Sequence, residues 1–81
     1  MKVWYLDCED CSAIFSTKEK AIAYFEELAF RNEWVVIAIN DSEDWVDLVF
    51  AWEHPEEGWK IASESYIAEY QLDEEFDMDM N

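Results

Sequence analysis

Cys8-Glu9-Asp10-Cys11 is the one stretch whose residue types and spacing match a chemical motif. A C-x-x-C pair supplies half of a tetrahedral zinc site or the dithiol of a redox centre. A structural zinc site needs two further ligands, and beyond its carboxylates the chain has only the distant His54. A redox pair opens a helix after a strand, in an alternating strand–helix chain and beside groups that favour a thiolate. Here Ser12, Ala13, Ile14 and Phe15 follow, and Glu9 and Asp10 carry the wrong charge. Cys8 and Cys11 therefore read as reduced turn thiols, and they are the only candidates for a metal. His54 lies between Glu53 and Pro55 and reads as a solvated turn residue, not a general base. The carboxylates are too numerous for any pair to be diagnostic. With one Gly in the chain there is no phosphate-cradling loop, and neither G-x-S-x-G nor EF-hand spacing occurs. The expectation is a protein that is not an enzyme and takes no cofactor.

Charge is the more informative chemistry. Twenty-one acids oppose five bases, a formal net charge of −16. Nucleic acid and anionic membrane surfaces repel such a chain, and basic protein surfaces attract it. Residues 1–31 carry six acids against Lys2, Lys18, Lys20 and Arg31, whereas residues 32–81 carry fifteen against Lys60 alone. Three acidic zones result: Asp41, Glu43, Asp44 and Asp47; Glu53, Glu56 and Glu57; and Asp73, Glu74, Glu75, Asp77 and Asp79. In the last zone Asp73, Glu75, Asp77 and Asp79 are two residues apart, and Leu72, Phe76, Met78 and Met80 take alternate positions. An extended chain would set its neighbouring acids about 6.7 Å apart along one side. Self-repulsion of this size opposes folding, so the acidity serves solubility, adaptation to high salt, or a partner. A DNA-binding groove draws much of its affinity from phosphate charge, and carboxylates in the right places would occupy it.

These groups must be positioned by an 81-residue chain, which is one domain. Ser16 with Glu19 three residues on predicts a capping box. Ala21, Ile22, Phe25, Leu28 and Ala29 recur at three- and four-residue spacing and form one stripe of a helix over 16–31, closed by Arg31 and a left-handed Asn32. The remainder alternates as strands: 2–7, a short 12–15, 34–39, 45–53, and one or two more over 59–63 and 66–72. Residues 34–39 are apolar on both faces, the pattern of a central strand. Val46, Leu48, Phe50 and Trp52 share the face that meets the helix; Trp45, Asp47, Val49 and Ala51 share the other. One helix covers one face of a sheet, so Trp34, Val36, Trp45, Val49 and Ala51 should lie on the opposite face. There the aromatics either cover one another or wait for a partner or second copy.

Phe15-Ser16-Thr17-Lys18-Glu19-Lys20-Ala21 and Ile67-Ala68-Glu69-Tyr70-Gln71-Leu72-Asp73-Glu74 resemble the helix start and closing edge strand of a type of small phage and bacterial α+β protein. By charge and size the chain also resembles the acidic inhibitors that phages direct at host nucleases, restriction systems, CRISPR effectors or polymerases. The resemblance implies a compact α+β domain of phage type and transfers no site residues.

The expected architecture is α+β: an antiparallel sheet of four or five strands with one helix on one face, over residues 1–72, and an acidic tail over 73–81. The expected function is non-enzymatic blockade of a basic, nucleic-acid-binding protein, with no direct contact to nucleic acid or membrane. Asp41, Glu43, Asp44, Asp47, Glu53, Glu56, Glu57, the tail acids, Trp34 and Trp45 would make the contact. The alternatives are a homodimer paired through the exposed sheet face and acidic for solubility, and a C-x-x-C metal-binding module. With no signal peptide in view, a cytoplasmic location is expected, the host cytoplasm for a phage protein.

Overall fold

A computed structural model describes residues 1–8 and 11–71. The chain runs β1 (Lys2–Cys8), β2 (Cys11–Phe15), α1 (Lys18–Asn32), β3 (Val35–Asp41), β4 (Trp45–His54) and β5 (Gly58–Gln71). All pairings are antiparallel, and the spatial order is β2-β1-β5-β4-β3. The fold is α+β, one helix packed on a five-stranded sheet. Among the described residues no helix is long and apolar enough to cross a membrane.

The helix forms where its stripe requires, with Ala21, Phe25 and Ala29 buried and Ile22 and Leu28 packed beside them. Its N-cap is Thr17, not Ser16: the Lys20 N–H donates to Thr17 Oγ1 at 3.1 Å. That start leaves Glu19 in the first turn, where its charge suits the helix dipole. The left-handed residue at the far end is Glu33 (φ 61°), one position beyond the expected Asn32. Glu33 N–H donates to Phe30 O and Trp34 N–H to Ala29 O, the paired bonds of a Schellman turn. Asn32 instead donates its side-chain amide to Leu28 O.

That turn corrects the reading of Trp34. It stands just before β3, and its ring falls on the helix side, stacked on Phe50 (centroids 4.3 Å apart) and near Phe25. β3 itself lies at an edge, not the centre. A register shift between Val36 and Ala38 breaks its two-residue period, so Val36 faces Phe50 and Ile39 faces Leu48. Val35 and Ile37 are about half exposed. The central strand is β5, a single strand of 14 residues where one or two were expected. A shift between Leu48 and Phe50 leaves Ser63 and Glu64 opposite Val49, a bulge across which the pairing of β5 with β4 continues.

Leu6 and Cys8 of β1, Val46, Leu48 and Phe50 of β4, and Ala62 and Ile67 of β5 close the core against Ala21 and Phe25. Trp52 packs at its margin. Lys18 holds the start of the helix to the β3–β4 turn: its ammonium donates to Asp41 Oδ1 at 2.7 Å and Ser42 O at 2.8 Å, and lies over the Trp4 ring.

Candidate functional site

The sheet face away from the helix is where polar and aromatic groups meet. Register places Tyr5 of β1, Ala68 of β5 and Trp45 of β4 in one cross-strand row, and Asp7, Tyr66 and Asp47 in the next. Directly opposed residues in antiparallel strands have Cα atoms about 4.5–5.5 Å apart. Tyr66 is therefore flanked by a carboxylate on each neighbouring strand.

The rings settle over the small residue between them. Trp45 stacks on Tyr66 with centroids 4.7 Å apart and planes at 11°. Tyr5 meets Tyr66 at 6.2 Å and Tyr70 edge-on at 6.0 Å. Beneath them Ala68 and Val3 are buried without help from the helix. The aromatics thus cover one another in part, yet Trp45 stays 41% and Tyr70 50% exposed. Trp45 is also held in place by its indole Nε1, which donates to Asp47 Oδ1 at 2.8 Å. Burial, followed by the negative charge of Asp7, holds the Tyr66 hydroxyl above its ordinary value.

Chemically, the arrangement is an exposed π-surface between two acids. A guanidinium or ammonium group placed there gains cation–π attraction and carboxylate pairing together. Comparison with protein-family models, curated proteins and solved structures finds no match. The geometry of the chain itself carries the functional reading.

The other expected contact residues are not gathered at this point. Glu43 and Asp44 lie in the turn that leads into Trp45, close to the aromatic rows. Asp41 is on the helix side and already paired with Lys18. Glu53 shares the open face but stands opposite Trp59, eight residues along β4 from Trp45, about 27 Å by strand rise. Glu56 and Glu57 occupy the turn beyond, and Glu57 pairs with Lys60. Trp34 is on the opposite side of the sheet, against the core. Asp73, Glu74, Glu75, Asp77 and Asp79 lie outside the described residues. The residues not foreseen are Asp7, Tyr5, Tyr66 and Tyr70. They come from the first and last strands: the β4–β5 pairing joins Tyr66 to Asp47, and the β1–β5 pairing brings Tyr5 and Asp7 to them. The four-residue spacing of Tyr66 and Tyr70 put them on one face of a strand and was the available signal.

The two remaining candidates have local structural roles. Cys8 and Cys11 face each other across the β1–β2 hairpin, Sγ to Sγ 3.5 Å, with Cys8 in the core. Among the described residues no group of three or more His, Cys, Asp or Glu side chains converges. His54 is half-buried, and its Nδ1 accepts the N–H groups of Glu56 and Glu57 at 3.0 and 3.1 Å. It caps its turn from inside and is less solvated than its neighbours suggested.

Proposed function

We propose that this chain is a non-enzymatic acidic binding protein that occupies the basic, nucleic-acid-binding surface of a protein partner, in the manner of a phage-type inhibitor. The single observation that carries the reading is the Asp7–Tyr66–Asp47 row with Trp45 stacked above it. An acidic surface built only for solubility has no need of a partly exposed Trp–Tyr stack between its carboxylates. Arg and Lys side chains that grip phosphates would find charge here, and an aromatic plane on which to lie. The wider negative field speeds encounter, and the rings lengthen residence. Two copies joined through this face would bring Asp7, Asp47 and Glu53 of one against those of the other, which disfavours the homodimer.

The test is a competition between this protein and duplex DNA for a panel of basic DNA-binding domains. The reading expects at least one domain to bind the protein or the DNA but not both. It also expects the complex to weaken steeply as salt rises. Formation of a ternary complex by every domain that binds would defeat the blocking role.

A further inference from the structure

The two hairpins are offset along β5. β4 pairs with it from Gly58 to Ala68, whereas β1 pairs only from Tyr66 to Gln71. Residues 58–65 thus have a strand on one side and, among the described residues, none on the other. An unpaired edge of this length presents a row of backbone donors and acceptors and is a template for another strand. Where β1 stops, the step opens a cleft of about 410 Å³ lined by Asp7, Cys8 and residues 61–65. Among the described residues that line it, Asp7 and Glu64 are acids and none is basic. Lys60, the only base on this segment, is engaged by Glu57. Further along the same edge Trp59 and Ile61 are 58% and 66% exposed, on the open face.

These features specify an occupant. We propose that the β5 edge at residues 58–65 takes an extended segment of a basic protein partner as an added strand. Basic side chains lodge in the cleft between Asp7 and Glu64, and apolar ones lie against Trp59 and Ile61. A second copy of this chain fits less well, since it would set the acidic turn at Glu56 and Glu57 beside the end of β1. The inference rests on the basic-partner reading and adds to it the mode of docking, with Asp7 common to both surfaces.

The experiment uses the full chain, isotopically labelled, and a peptide about eight residues long, matched to the edge, whose open-face positions carry valine beside Trp59 and Ile61 and lysine beside Asp7 and Glu64, with threonine at the alternate positions. A control peptide has alternate backbone amides methylated, which removes strand hydrogen bonding and keeps the charge. The expected result is new hydrogen-exchange protection, at least tenfold, at amides within 58–65, together with shifts at Asp7 and Cys8. The control should bind at least tenfold more weakly, and Glu64→Lys should weaken the parent peptide comparably. Shifts confined to Trp45, Asp47 and Tyr66, or equal binding of the methylated control, would overturn strand addition and leave the basic-partner reading standing. No binding of either peptide would overturn both.

Discussion

Tyr66 is the residue on which the open face turns. Its folded-state proton is held above the ordinary value of 10.0 by burial first and by Asp7 second. Lys2 is likewise raised above 10.5, by its hydrogen bond to Glu69 and then by that carboxylate's charge. Each group binds its proton more tightly folded than unfolded. Their contributions are complete below the ordinary values and are lost as pH climbs past them. Denaturant unfolding followed from neutral pH to above 10 should therefore show stability falling on the alkaline side. Tyr66→Phe should flatten that fall; an unchanged slope would mean that the ring environment is not as described. Trp45 and Phe50 separate the two faces in the same assay. Phe50 is fully buried against Phe25 and Trp34, so Phe50→Ala should cost about 3–5 kcal/mol. Trp45 was assigned to the open face from alternation alone and lies there. Trp45→Ala should cost clearly less stability, because its ring is part exposed and rests on a single partner surface. Equal losses would contradict the face assignment.

At the scale of elements, regular spacing was legible and breaks in regularity were not. The stripe of Ala21, Phe25 and Ala29 and the alternation of Val46, Leu48 and Phe50 have one period throughout, and both sit where that period places them. β3 was misjudged as central and β5 was left open between one strand and two, because each carries a register shift. In β3 the shift and the Schellman turn move Trp34 and Val36 to the helix side, and a run apolar on both faces becomes an edge. In β5 polar Ser63, Glu64 and Ser65 resemble a break but form a bulge and its flank. Which strand is central depends on which strands return to pair, and that is a long-range fact with no local pattern. The site shared this fate: Trp45 and Asp47 came from one legible strand, Asp7 and Tyr66 from a pairing that closes over nearly the full chain. The helix caps permit a direct test. Thr17→Ala should cost about 1 kcal/mol, as loss of an N-cap does, and Ser16→Ala close to nothing; the reverse order would restore the capping box at Ser16. Glu33→Gly should raise stability by about 0.5–1 kcal/mol, since glycine takes the left-handed conformation without strain. Thermal melts of the three variants decide both points.

Across the whole molecule, charge sets the terms. Among the described residues four ion pairs engage Lys2, Lys18, Arg31 and Lys60 with Glu69, Asp41, Glu27 and Glu57. They leave Glu43, Asp44, Asp47, Glu53 and Glu56 without a basic side chain at bonding distance among the described residues. Exposed pairs of this kind contribute little, whereas repulsion within a chain of net charge −16 is spread over the surface. Added sodium chloride should therefore raise the melting temperature; a fall would mean that the pairs outweigh the repulsion. The same salt should weaken binding to a basic partner, so stability and affinity should move in opposite directions. A polyanion attracts polycations whatever its shape, and the central claim is that the open face does more than that. The measurement to make is the affinity for one arginine-rich peptide of two variants with the same change in net charge, Asp47→Lys on the open face and Glu26→Lys on the exposed side of the helix. The aromatic–carboxylate site predicts a loss of tenfold or more for Asp47→Lys and only a small loss for Glu26→Lys. Equal losses would show that net charge alone attracts the peptide, and the acidity would then serve solubility.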